Sequence, residues 1–146
     1  MYKTIVLAYD GSEAGQRALL DCREIGQWSR ARLHLVAVMP PPIAMVAVDA
    51  WALNPTAESD ETAHYQSVLD AGLQRLLGSG LEAQGRVVVG NAVDEIVRVA
   101  AAERADLIVL GHKHLDSWAE RWWRGASVSK SLIEYAPCSV LIVIEP

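Results

Sequence analysis

The sequence predicts an α/β fold: an open, doubly wound, five-stranded parallel sheet in the order 3-2-1-4-5, helices on both faces, one domain over residues 1–146. Three observations predict it. Short apolar runs rich in β-branched residues alternate with longer segments of helical spacing, which implies parallel strands joined by right-handed crossovers. The 146-residue chain has the size of one ordinary domain, and its 51% hydrophobic content is enough to bury strands on both faces. Two segments, Ile5 to Ser12 and Asp106 to Gly111, end on glycine-bearing corners. In an open parallel sheet, strands whose carboxyl ends diverge leave a crevice where ligands bind.

The elements follow in order. Thr4 to Ala8 is a short apolar run and reads as a buried strand. Asp10-Gly11-Ser12 turns the chain, Ser12 can cap the next helix, and Glu13 in its first turn suits the dipole. Ala14, Ala18, Cys22 and Ile25 repeat at helical spacing, with Leu19 beside them, to an end near Ser29. Arg32 to Val38 is the second strand, stopped by Met39-Pro40-Pro41-Pro42, since proline cannot donate into a ladder. The stretch to about Pro55 is apolar but aperiodic and reads as a long loop, or a loop with a short helical turn. Ser59 to Leu77 is helical, with Tyr65, Val68, Leu69, Leu73 and Leu76 on one face and Gly78-Ser79-Gly80 at its end. Arg86 to Val89 is the third strand. Val93 to Glu103 is helical, with Ile96, Val97, Ala100 and Ala101 inward and Asp94 and Glu95 in the first turn. Asp106 to Leu110 is the fourth strand, Ser127 to Tyr135 the last helix, and Ser139 to Ile144 the fifth strand.

Composition narrows the function. Thirteen basic against eighteen acidic residues give a net charge of −5, which argues against a general nucleic-acid surface. No apolar run reaches the length of a membrane span, and the chain enters a strand at once without a signal-peptide pattern. Cys22 and Cys138 show neither metal spacing nor a disulfide framework. A cytoplasmic protein is the expectation. No Gly-x-x-x-x-Gly-Lys-Ser/Thr loop and no legible Ser-His-Asp or Cys-His arrangement occurs. Five tryptophans stand against no phenylalanine, and Trp118, Trp122 and Trp123 cluster with Arg121 and Arg124. Such a cluster reads as an interface, a lid over the crevice, or a short amphipathic helix packed on its own domain.

Four stretches, in their order and spacing, resemble the universal stress protein family over almost the whole chain. Ile5 to Ser12 is similar to its first strand and turn, and Gly90 to Ile96 to its third turn and helix start. Asp106 to Gly111 is similar to its fourth strand, and Ser127-Val128-Ser129 with Ala136 to Val143 to its final helix and strand. The resemblance implies a Rossmann-like fold and pairing of two subunits through the last strand, around Val140 and Ile142. Members that bind ATP carry Gly-x-x-Gly, nine residues, then Gly-Ser or Gly-Thr. Here Gly111 fits the first glycine, His114 stands at the second and Ala126 at the third, and Leu115 to Gly125 is two residues longer than that spacing.

The resemblance nominates a nucleotide site. Adenine is expected near the backbone of Ala8 and Val38, with Tyr9 and Leu110 beside them. Asp10 can accept from a ribose hydroxyl or approach a phosphate-bound metal; equally, it can be a turn residue bonding its own backbone. Gly111, Lys113 and His114 border the expected phosphates. Ala126, Ser127, Val128 and Ser129 open the last helix, whose free N–H groups and dipole attract anions, although Ser127 also reads as an ordinary cap. The ligand implied is ATP or AMP, with magnesium as an accompanying cation. A metal held by His112 and His114 lacks a third ligand.

Three functions remain. One is a stress-response regulatory homodimer that binds an adenine nucleotide through a degenerate phosphate loop. Another is a homodimeric interaction protein that binds no nucleotide and docks on another protein. The third, an enzyme of weak ATP hydrolysis or of nucleotidyl transfer, has no assigned base or nucleophile, and fold alone licenses no activity.

Overall fold

The structure is a computed structural model that describes residues 1–41, 55–113 and 126–145, apart from the side chains at 55–59, 126 and 127. Strands and helices alternate along it: β1 (Thr4–Ala8), α1 (Glu13–Ser29), β2 (Arg32–Met39), α2 (Pro55–Leu76), β3 (Ala83–Val89), α3 (Ala92–Ala102), β4 (Leu107–Lys113), α4 (Ala126–Tyr135) and β5 (Ser139–Glu145). All strand pairs are parallel and the order is β3-β2-β1-β4-β5, as the sequence predicts.

β1 lies at the centre because its residues are apolar on both faces. Ile5, Val6 and Leu7 are each 0% exposed. Ile5 and Leu7 join Leu33, Leu35 and Val109 in a core under α1 and α2, which contribute Ala18, Leu19, Cys22, Leu69 and Leu76. Val6, Val36 and Ile108 form the opposite core with Ile96 and Val99 of α3 and Leu132 of α4. Helices on both faces explain why a central parallel strand reads as an unbroken apolar run instead of an alternation. The Asp106 carboxylate fixes the start of β1, accepting the N–H groups of Lys3 at 2.8 Å and Thr4 at 3.1 Å.

The helices begin on the caps their sequences offer. Ser12 Oγ accepts the Gly15 N–H at 3.0 Å, and Asn91 Oδ1 accepts those of Val93 and Asp94 at 3.1 and 3.3 Å. Beyond α3, Glu103 pairs with Arg86 of β3 and approaches the buried His34 of β2 at 3.6 Å, tying three elements together.

Some boundaries differ from the sequence reading. β4 continues past Leu110 to Lys113, because β5 supplies ladder partners as far as Glu145. β3 begins at Ala83 instead of Arg86, since β2 offers pairing from Leu33 onward even to Gln84 and Gly85. α2 begins at Pro55, where a missing N–H costs nothing in a first turn. Within α3 the buried stripe is Ile96, Val99 and Ala100, at i, i+3 and i+4. Ala101, expected inside, is exposed and Val99 takes its place.

His114, the loop from Leu115 to Gly125 with its tryptophans and arginines, and the apolar stretch from Pro42 to Asn54 lie outside the described residues. No helix of the described residues is long and apolar enough to cross a membrane. Cys22 and Cys138 are both free. Burial pushes the Cys22 thiol up to about 12 and raises that of Cys138, so neither is activated as a thiolate.

Leu7 is wholly enclosed between neighbours on β2 and β4. Leu7→Ala is expected to cost about 2–5 kcal/mol of unfolding free energy in urea denaturation. A loss below about 1 kcal/mol would contradict the core described.

Candidate functional site

β1 leads toward β2 on one side of the sheet and β4 toward β5 on the other, so the carboxyl ends of these two adjacent strands diverge. A cavity of about 780 Å³ opens there.

The corner after β1 is built by Asp10. Its Oδ1 accepts the Ser12 N–H at 3.0 Å and the Ser12 hydroxyl at 2.6 Å, while that same hydroxyl oxygen accepts the Gly15 N–H. Both the carboxylate and the cap are therefore seated on the first turn of α1, where the dipole favours negative charge. Gly15 leaves the room: a Cβ there would lie 2.6 Å from Asp10 Oδ1.

The other wall is β4. Gly111 was expected to open a corner, yet it lies inside the strand, opposite Val143 of β5. Its lack of a side chain serves packing. A Cβ at Gly111 would overlap the Ala14 carbonyl group and lie 2.8 Å from the Gly15 nitrogen. The backbone of α1 thus rests directly on the backbone of β4. Leu110 faces the α3 and α4 core, and strand alternation sends His112 the same way. His112 Nδ1 is 3.3 Å from Ser129 Oγ, a hydrogen bond that joins β4 to the first turn of α4.

The cavity has two ends of different character. On the side of β2 and α3, Ala8, Val36, Val38, Ala92 and Ile96 make it apolar. Toward the start of α1 and the ends of β4 and β5, Asp10, Ser12, Glu13, Lys113 and Glu145 make it polar. There the Glu145 carboxyl is held above its ordinary value, first by a hydrogen bond shared with Glu13, against the pull of Lys113 and Arg17. Among the described residues, no group of three or more His, Cys, Asp or Glu side chains is arranged to hold a metal.

Of the residues singled out from sequence, Ala8, Tyr9, Asp10, Val38, Leu110, Gly111, Lys113, Val128 and Ser129 border this cavity. Tyr9 does so with its ring turned into the α1 and α2 core, where a Cβ on Gly72 would touch it at 2.6 Å. Burial raises its phenol, which Asp10 also raises and Arg75 lowers. Ala126 and Ser127 are the first residues of α4, with side chains outside the description, as is all of His114. Sequence reasoning missed Ser12, Glu13, Ala14, Val36, Ala92, Ile96, His112 and Glu145 as lining residues. Val36 could have been found two residues before Val38 on the same strand face, and Ala92 and Ile96 at helical spacing after the Gly90-Asn91 turn. His112 and Glu145 needed the length and register of β4 and β5.

A family model described as the universal stress protein family matches residues 1–143. The chain belongs to the universal stress protein family. A universal stress protein of Thermus aquaticus is 32% identical to it, over 98% of this chain and 99% of the relative. A solved family member from Burkholderia pseudomallei is 26% identical, covers 97% of this chain and 96% of its own, and superposes with a TM-score of 0.75. A universal stress protein solved in complex with cAMP is 25% identical, covers 98% and 97%, and gives a TM-score of 0.69.

Because the Gly111 contact is backbone against backbone, no side chain can rotate away to accept a methyl group. Gly111→Ala is expected to cost about 1–3 kcal/mol by overpacking. In scanning calorimetry that lowers Tm by at least about 3 °C for a chain of this size. An unchanged Tm would contradict the contact.

Proposed function

We propose that this universal stress protein is a cytoplasmic, single-domain regulatory module that responds to stress by binding an adenine nucleotide, ATP or AMP, and works as a homodimer. The observation that carries the reading is the two-ended cavity at the divergence of β1 and β4. A flat base fits the apolar end, against Val36, Val38 and Ile96. Asp10 Oδ1 is occupied by Ser12, while Oδ2 carries no hydrogen bond among the described residues and suits a ribose hydroxyl. Phosphates fit the N-terminal turn of α4, where the backbone N–H groups of Ser127, Val128 and Ser129 and the ammonium of Lys113 favour anions. Backbone donors do not require the glycine that Ala126 replaces. The cAMP complex of a family member supports an adenine ligand here. The two free cysteines suit a reducing compartment.

A second reading, an interaction protein with no nucleotide, is favoured by one observation. Asp10 and Gly111 each have a complete structural role without a ligand. Calorimetric titration separates the two. The native protein is expected to bind adenine nucleotide, and the double variant His114→Gly with Ala126→Gly, which restores two glycines of the ATP-binding pattern, to bind it more tightly. Silence from both proteins at millimolar nucleotide with magnesium would favour the interaction protein.

The homodimer part rests on β5, an edge strand whose unpaired backbone groups need a partner. Ile144 is 47% exposed on it, and Ile133 and Tyr135 of α4 are each 67% exposed. A two-fold contact would set β5 against its own copy around Val140 and Ile142, Val140 being partly packed on its own core. Ile142→Asp is expected to give monomer in light scattering. An unchanged dimer would move the interface elsewhere.

A further inference from the structure

The polar end of the cavity surrounds Lys113, the cation assigned to the phosphates above, with more acidic than basic side chains among its described residues. Among its described lining residues Asp10, Glu13 and Glu145 are acidic, and Lys113 supplies the compensating cation. Glu13 opens α1 and Glu145 ends β5, and both line this mouth, where Glu13 raises the Glu145 carboxyl. Lys113 is the register partner of Glu145 on β4, and Arg17 lies one turn along α1 from Glu13. With all carboxyls ionised, these described lining residues carry a net charge of −2. Carboxylates accept hydrogen bonds from hydroxyl and amino groups, but phosphate oxygens bring no donor to meet them.

We infer that Glu13 and Glu145 set the ligand class of this cavity, favouring an adenine ligand of low charge, a nucleoside or nucleoside monophosphate including its cyclic form, over a nucleoside triphosphate. The inference rests on the adenine-nucleotide reading above and narrows it. The apolar end takes the base whatever the phosphate count, so discrimination falls on the polar end. A unit charge opposed at 4–6 Å in a wet mouth shifts an equilibrium by roughly four- to tenfold. The two further phosphates of a triphosphate meet that penalty more than once, and Lys113 offsets part of it.

The test is calorimetric titration of the whole protein with adenosine, AMP and ATP, in chelator and low salt, at pH ~8, where carboxylates are ionised. The native protein should bind AMP at least about tenfold more tightly than ATP, a gap of about 1.4 kcal/mol. In the double variant Glu13→Gln with Glu145→Gln, that ratio should fall to within about threefold. ATP bound as tightly as AMP by the native protein would overturn the inference while leaving the nucleotide reading intact. A preference for AMP that the double variant does not move would also overturn it. Silence with all three ligands would remove the nucleotide reading and this inference with it.

Discussion

The rest of the structure depends on one contact, the first turn of α1 lying backbone to backbone on β4 at Gly111. A helix normally stands off a sheet by the depth of two side-chain layers. Here the missing side chain at Gly111 lets the Ala14 carbonyl come down to the strand, with Gly15 beside it. That approach brings the capped end of α1 to the mouth between β1 and β4. Asp10, Ser12 and Glu13 are carried there with it, and the polar end of the cavity is the result. Burial sustains the contact, because Ile5 and Leu7 of β1 and Val109 of β4 pack into the core beneath α1.

The division of the cavity into an apolar and a polar end follows from the sheet. Ala8, Leu110 and Val38 all pack toward the α3 and α4 core, and where the strands run out past that core the same faces are left lining a hollow. Polar groups begin where strands give way to a helix start or a chain end: Asp10 after β1, Glu13 opening α1, and Lys113 and Glu145 closing β4 and β5. The hydrogen bond between Ser129 and His112 holds α4 against the same strand, so α1 and α4 grip β4 from its two faces near one point. The Trp-rich loop leads from the end of β4 to the start of α4.

Most of the fold was legible in the sequence because its central strand and its caps are unambiguous. An apolar run such as Ile5 to Leu7 fits only a strand covered on both faces, and Ser12 before an acidic first turn fits a helix start. The site was less legible. Gly111 follows an apolar strand, and a glycine there has the same signature whether it makes a turn or admits a close neighbour; here it admits α1. Asp10 carried two readings, and the structure bears out the turn, with Oδ1 bonded to Ser12. Glu145 gave no local signal at all, since its place beside Glu13 comes from a five-strand register and not from neighbours in the chain. Val99 and Ala101 were exchanged because α3 is apolar from Ile96 to Ala102 except at Arg98, leaving the boundary of its buried stripe open.

The central claim is that the hollow between β1 and β4 is where an adenine nucleotide sits. Amide chemical shifts of the ¹⁵N-labelled protein, followed by NMR as AMP is added, test it most directly. The account predicts saturating shifts concentrated at Ala8, Asp10, Gly111, His112 and Ser129, with the distant β3 edge around Gln84 unmoved. Shifts clustered away from these residues, or none at millimolar AMP, would contradict it.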